Sequence, residues 1–529
     1  MWPRARRDPG RWTRERKPRH SSAGRLTRCL GVISAAARGD RPTELLGHPR
    51  GLATLFFTEM WERFSYYGMR ALLVLFMVDL VEDGGLGFSD RTATSIYGLY
   101  TAAVYLASLP GGWIADRVLG AQRAVWFGGI VIMSGHFVLA IPTTACFFLG
   151  LVLVVLGTGL LKPNISAIVG ELYSRGDPRR DSGFTIFYMG INIGAAAGPL
   201  ICGLLARDDW HYGFAAAGIG MLLGLAQFYF TRAHLGDAGL APGDGAEPTV
   251  AFKRRVGIAT GAVLMVVACL LGAGLAGWVQ YDAVALAQRA TYAIVAIALT
   301  YFAYILFWGG LEREERGRVF VIIVLFFAAA MFWSGFEQAG SSLNLFAERY
   351  TVRDFAGFEI PASWFQSLNP AFIIILAPLY SMMWTALARR QMDPSSPLKF
   401  AIGLIILGVG FAVMIGAATL VVQGQSVLPT WLVFTYLFHT MGELALSPVG
   451  LSSVTKLAPR RFVGQMMGIW FLANSLGNIL AGLLAGEFRA DTLEQMPGLY
   501  LQIVLTTVGA GLVLALVAKP LQRLSGDGR

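Results

Sequence analysis

Long apolar runs recur along the chain, separated by short polar intervals. Fourteen of them reach the roughly 20 residues that a helix needs to cross a hydrocarbon core. They run over residues 52–80, 95–115, 124–143, 146–170, 183–205, 212–231, 256–279, 291–311, 319–347, 365–388, 400–423, 428–455, 463–486 and 497–518. The pattern predicts an all-α membrane protein. After the N-terminal arm, the longest polar interval is 232–255, where Gly, Pro and Ala dominate, and it reads as a flexible connection. It separates six helices from the rest. Spans 256–279 and 291–311 carry no deep charge and read as lipid-facing supports. The expected organisation is a basic arm (1–45), a six-helix bundle (46–231), a linker (232–255), two extra transmembrane helices (256–311), a second six-helix bundle (312–518) and a short tail (519–529).

Composition agrees with this pattern. Only 14% of the 529 residues are charged, against about 25% in a soluble protein. The net charge of +10 suggests a nucleic-acid partner until it is located: residues 1–50 hold 13 Lys/Arg and 4 Asp/Glu, which accounts for nearly all of it. No folded nucleic-acid-binding module accompanies this arm, so no nucleic acid is expected as a partner. The arm is read as a dispensable tail, with contact to anionic lipid and an upstream extension as the competing readings. With the N-terminus placed in the cytoplasm, inner loops and tail hold 21 Lys/Arg and outer loops 6, which predicts that both termini are cytoplasmic. The four cysteines, Cys29, Cys146, Cys202 and Cys269, show no metal-ligand spacing. No nucleotide loop, nucleophile constellation or metal set is evident, so neither an enzyme nor a resident cofactor is expected.

The polar positions inside the spans change the picture most. Glu59, Glu62, Arg63, Tyr66 and Arg70 fall on one face of the first span. Each charge at the bilayer centre costs about 2.5–3.5 kcal/mol on insertion scales, so four of them imply partners or a water-lined cavity. Sorting every charge by position leaves Arg63, Arg70 and Lys162 as intramembrane cations and Glu59, Glu62, Glu337 and Glu443 as intramembrane carboxylates. Fully ionised, the set carries −1. A buried set one charge short of balance tends to take up a proton, which points to a proton as coupling ion.

The chain resembles the proton-dependent oligopeptide transporter family, within the major facilitator superfamily. Eight blocks carry the resemblance, in order: Glu59–Met60–Trp61–Glu62–Arg63 followed by FSYYGMR, GGWIADRVLG (111–120), GTGLLKPNISAIVGELY (157–173), FTIFYMGINIGAAAGP (184–199), FEQAGSS (336–342), WFQSLNP (364–370), GELALSPVGLS (442–452) and GIWFLANSLGN (468–478). The resemblance covers nearly everything from Glu44 to Lys519. It implies the major facilitator fold, two six-helix bundles with the two extra helices that bacterial members carry between them. The arm is the departure, because bacterial members usually lack it.

The implied roles follow residue by residue. Glu59, Glu62 and Arg63 are implicated in proton coupling, with Glu337. Asp116 and Arg117 occupy the superfamily's inner-loop motif. A peptide offers a carboxylate and an ammonium. Arg70 and Lys162 are the cations for the first, and Glu443 the anion for the second. Asn192 and Asn369 are expected on the peptide backbone, Ser447 beside them, and Tyr66, Tyr67, Tyr105 and Trp470 on the walls. Tyr67 lies about 80° off the Glu59 face and is the weaker of the adjacent tyrosines. Three gating salt bridges are expected: Arg70 with Glu337, Lys162 with Glu443 across the two halves, and Arg91 with Glu348 at the outer end. Pro163 is expected to open the helix beside Lys162. His136 and His439 are expected to be hydrogen-bonded structural residues. The predicted function is a proton-coupled symporter importing di- and tripeptides across an inner or plasma membrane, acting as a monomer. The rival readings are another small solute, such as nitrate or a drug, on the same fold, or a receptor without flux.

Overall fold

The computed structural model describes residues 44–174, 176–240, 249–488 and 490–525. Most of the arm, Arg175, residues 241–248 of the linker, Arg489 and the last four residues of the tail lie outside the described residues. The chain divides at Gly47/His48 into two units. Of the first, the described part is short: Glu44–Leu45 is extended and is followed by Leu46 and Gly47 at positive φ.

The second unit is helical almost throughout. In its first half lie α1 (Arg50–Val78), α2 (Asp90–Ile114), α3 (Ala121–Leu139), α4 (Thr144–Glu171), α5 (Arg180–Leu205) and α6 (Trp210–Thr231). Then come α7 (Val250–Leu275) and α8 (Ala283–Trp308). The second half contains α9 (Arg313–Phe336), the short α10 (Ser342–Tyr350), α11 (Leu368–Arg389), α12 (Ser396–Val422), α13 (Thr430–Leu457), α14 (Val463–Ala485) and α15 (Met496–Ser525). Every expected span coincides with a helix, one of them interrupted. Ten spans are long and apolar enough to cross a membrane by length and composition among the described residues. The remaining long helices, α1, α2, α3 and α13, pack among these ten.

Each half is a bundle. α1 lies along α5 and α6, α3 along α4, and α12 against α13 and α15. Close crossing of α1 and α5 requires glycine: a Cβ on Gly198 would run into the Phe64 carbonyl and lie 2.8 Å from the Gly68 amide nitrogen. α7 buries none of its residues, in keeping with a helix whose surroundings are lipid. α8 packs on both α2 and α14, one helix from each half.

Three local features depart from expectation. The span read as continuous over 319–347 is broken: α9 stops at Phe336, a 3₁₀ turn covers Glu337–Gly340, and α10 restarts at Ser342. The linker ends earlier than expected, because α7 begins at Val250 and takes Lys253, Arg254 and Arg255 into its first turns. Finally, Pro163 does not open α4. The helix runs through it, and the Gly159 carbonyl that Pro163 cannot bond lies where a Cβ on Gly111 of α2 would be.

Candidate functional site

The long helices run between two ends of the bundle. The basic end carries Arg179, Arg180, Lys399, Arg460 and Arg461; the opposite end carries Asp90, Arg207, Arg349 and Arg353. At the opposite end the two halves are joined. Arg349 of α10 makes a bidentate pair with Asp90 of α2, Nη1 to Oδ2 and Nη2 to Oδ1, both 2.7 Å. Asn344 Nδ2 donates to the Ala71 carbonyl (2.9 Å), Trp364 Nε1 to the Leu200 carbonyl (2.9 Å), and Ser367 Oγ to the Ala196 carbonyl (2.7 Å). A cavity of about 440 Å³ indents this end, lined by Asp79, Asp83, Arg207, Glu348, Arg353 and Ser363 among others.

Towards the middle, α1 presents the charged face read from its sequence. Arg63 Nε is 3.1 Å from Glu59 Oε1 and also contacts Glu62, and all three side chains are buried. Two turns further along, Arg70 Nη2 lies 2.8 Å from Glu337 Oε2. Glu337 is the first residue of the 3₁₀ turn, with its amide still bonded back to the Trp333 carbonyl of α9. Arg70 also sits over the Tyr67 and Tyr97 rings, 5.3 and 5.8 Å from their centres. This is the reverse of the expected ranking of the tyrosines. Tyr66 is buried between Arg63 (5.4 Å) and the stacked ring of Tyr100, whereas Tyr67 keeps some exposure beside Arg70.

Lys162 Nζ stands 4.2 Å from the centre of the Tyr105 ring, near enough to Glu59, Glu62 and Glu337 to feel their charge. It makes no ion pair with Glu443 in this conformation, so the expected bridge across the halves is absent here. Glu443 Oε2 accepts instead from Asn369 Nδ2 at 2.9 Å, within its own half. The contacts described above hold the halves together at the end away from the basic loops. Lys162, Glu443, Ser447, Tyr67 and Tyr105 in mid-helix, and Asn369 at the start of α11, all retain partial exposure, as the lining of a cavity between the halves does. Asn192 is buried and donates to the Tyr188 carbonyl (2.9 Å). Trp470 is buried against Phe400 and covers Gly450, where a Cβ would strike its ring. Asp116 and Arg117 are exposed on a wide turn, Ala115–Leu119, that closes with the Gly120 amide on the Ala115 carbonyl.

The expected Arg91–Glu348 pair is not formed. Arg91 meets Glu487 (3.4 Å), half-exposed on both sides, and Glu348 meets Arg353, which also reaches Glu359 at 3.0 Å. Arg353 precedes a small hairpin, Asp354–Phe355 with Phe358–Glu359, that brings Glu359 to it, while Glu348 comes from the last turns of α10. The pair that does close the end is one residue away on each helix, with the signs exchanged: Asp90 and Arg349. One residue is 100° of helix rotation, and sequence order alone does not resolve it. His136 and His439 are also not as expected. Neither ring has a hydrogen-bond partner among the described residues, and His439 packs against Phe411 (4.7 Å between ring centres) and Phe336. Tyr97 and Tyr100 beside the charged residues, and buried Thr440 behind Asn369, gave no signal in the sequence beyond being polar or aromatic in a span.

Comparison with known proteins bears on this geometry. A family model described as the POT family matches residues 122–497. The peptide transporter YePEPT of Yersinia enterocolitica is 45% identical over 490 residues, 91% of this chain and 96% of that protein. A di-/tripeptide transporter of Lactococcus lactis subsp. cremoris is 38% identical over 500 residues, 91% of this chain and 98% of that one. The fold superposes on the crystal structure of a peptide transporter POT in complex with sulfate with a TM-score of 0.84 at 43% identity, covering 91% of this chain and 96% of that one.

Proposed function

We propose, from the premise that this chain belongs to the POT family, that it is a proton-coupled symporter importing di- and tripeptides by alternating access. Relatives named as peptide and di-/tripeptide transporters support the substrate class. The observation that carries the reading is the division of charge around the cavity. Arg70 and Lys162 stand on the first half, and Glu443 with Asn369 on the second. A zwitterion bridging them ties the halves together through its own two ends, which a pure anion does not do.

The coupling follows from the same arrangement. Arg70 is held by Glu337 before substrate arrives. A peptide carboxylate that takes Arg70 leaves Glu337 a buried carboxylate without its partner, and such a group is stabilised by gaining a proton. The Glu59–Glu62–Arg63 cluster holds two carboxylates against one arginine, with Lys162 nearby, so it is a second place where a proton balances charge. Lys162 and Glu443 pair when the basic end closes, which makes their separation here the mark of one state in the cycle. The basic loops place that end in the cytoplasm, with both termini inside, in the inner or plasma membrane of the cell. The unit of transport is a monomer, and no cofactor other than the proton takes part.

The test is uptake of labelled dialanine by liposomes containing the purified chain, with and without an inward proton gradient. Accumulation above the outside concentration only with the gradient is the expected result. Absence of dialanine uptake overturns the substrate class, and equal uptake with and without the gradient overturns the coupling.

A further inference from the structure

Asn369 carries an amide, and the end of that amide turned to the cavity decides what it can hold. Its neighbours settle the orientation chemically. Thr440 is fully buried, and its Oγ1 donates to the Tyr436 carbonyl at 2.7 Å. The single hydroxyl proton is thereby used, so towards Asn369 the oxygen acts as an acceptor. The carboxylate oxygen Glu443 Oε2 is an acceptor as well. Asn369 lies 3.0 Å from Thr440 Oγ1 and 2.9 Å from Glu443 Oε2, and both contacts require the nitrogen, Nδ2. Both amide hydrogens are then committed inside the second half. Among the described residues neither Asn369 Oδ1 nor Glu443 Oε1 receives a hydrogen bond.

We propose that Thr440 is a positioning residue: it holds the Asn369 amide with its oxygen towards the ligand, so that Asn369 and Glu443 offer two acceptors to one ammonium. With the amide reversed, an NH₂ group faces the ammonium and an oxygen faces the Glu443 carboxylate, which exchanges two attractions for two repulsions. Thr440 itself, at 0% exposure, touches no ligand. It is anchored in turn by its helix, because the Tyr436 hydroxyl donates to the Ala339 carbonyl in the 3₁₀ turn that carries Glu337. The inference rests on the peptide reading above, since the free ammonium of a peptide is the group that uses both acceptors.

The test compares Thr440→Val, Thr440→Ala and Thr440→Ser with the unchanged chain in liposomes. Dialanine and N-acetyl-dialanine compete against labelled dialanine. Loss of one hydrogen bond that orients a group against a charge predicts that Thr440→Val weakens dialanine roughly tenfold. N-acetyl-dialanine, which lacks the ammonium, keeps its affinity, so discrimination between the two shrinks by the same factor. Maximal rate at saturating dialanine stays within about twofold. Thr440→Ser restores the discrimination. In an Asn369→Ala background, Thr440→Val has no further effect on it. Should the valine variant fail to insert, Thr440→Ala carries the same readout. Equal weakening of both peptides, unchanged discrimination, or failure of Thr440→Ser to restore it overturns the positioning role while leaving the peptide reading standing. An unchanged chain that does not distinguish free from acetylated dialanine overturns both.

Discussion

Breaking the Asp90–Arg349 pair should shift the molecule towards the state open at that end. The pair joins the start of α2 to the end of α10, so it exists only while the two halves meet there. Asp90 is 12% exposed and Arg349 28%, with two 2.7 Å contacts in fork geometry. That places it between a surface ion pair, worth about 0–1 kcal/mol, and a fully desolvated one. Charge-assisted hydrogen bonds are worth about 1.5–3 kcal/mol, and discounting for the exposed arginine leaves roughly 1–2 kcal/mol. In the open state both groups are solvated and lose nothing on neutralisation. The closed/open equilibrium should therefore move by about 5- to 30-fold in Asp90→Asn or Arg349→Gln. Ser363, buried beside the cavity at this end, reports the opening when replaced by cysteine in a chain whose native cysteines are removed. Its rate of labelling by a membrane-impermeant maleimide, added on the side that Asp90 faces, follows the open population.

Each single variant should raise that rate, and the double variant Asp90→Asn/Arg349→Gln should raise it no further. The neighbouring Arg91–Glu487 pair serves as an internal control: it is about half-exposed on both sides, so neutralising it should change labelling by less than about twofold. The exchanged variant Asp90→Arg/Arg349→Asp should recover most of the closure but not all. It puts a cation in the first turn of α2 and an anion in the last turn of α10, against both helix dipoles. Unchanged labelling in both single variants, or single effects that multiply in the double, would refute the latch.

Glu59→Gln or Glu62→Gln should abolish proton-driven accumulation of dialanine while exchange down its own gradient survives; continued accumulation against a gradient in both variants refutes the coupling role. Substrate length should be limited by charge spacing: tetra-alanine, and dialanine blocked at either end, should compete about 30- to several-thousand-fold more weakly than dialanine, because a charged terminus left unpaired in a desolvated site costs on the order of 2–5 kcal/mol. Equal inhibition by all of them sinks the two-ended clamp. Gly198→Leu should lower thermal stability in detergent by several degrees, since α1 and α5 cannot approach across a side chain there; an unchanged melting temperature shows that the crossing tolerates bulk.

Much of this was legible in the sequence, and for identifiable reasons. Hydropathy responds to the one-body cost of exposing each residue to lipid, so the fourteen spans, the division between the halves and the two intervening helices were all readable. The charged face of α1 was readable because a helix repeats at 100° and four charges inside one apolar run demand partners. What hydropathy does not contain is where a ladder breaks without proline or a glycine pair to announce it. The 3₁₀ turn at Glu337–Gly340 is therefore invisible in the pattern, although it begins at the carboxylate that meets Arg70. Thr440 was unreadable for a related reason: its part in the site depends on where its one proton points, a matter of neighbours rather than of residue type.

The ion pairs divide along a further line. Arg63 with Glu59 is a contact within one helix, and helical spacing alone brings it together. Arg70 with Glu337, Asp90 with Arg349 and the unformed Lys162–Glu443 pair all cross between halves, so each depends on which ends are closed. The set of intramembrane charges is the same in every state, because it is a property of the chain; the list of pairs is a property of one state. Three cations and four carboxylates cannot all be matched at once. With Arg70 satisfied through Glu337 and Arg63 through Glu59 and Glu62, the charges left over are Lys162 and Glu443, and in this conformation they rest on an aromatic ring and on an amide. A ligand bearing one charge of each sign is the species that satisfies Lys162 and Glu443 together without closing the basic end. The charge count therefore leaves one cation and one carboxylate over, and the geometry, by keeping them apart, places the vacancy between the two halves.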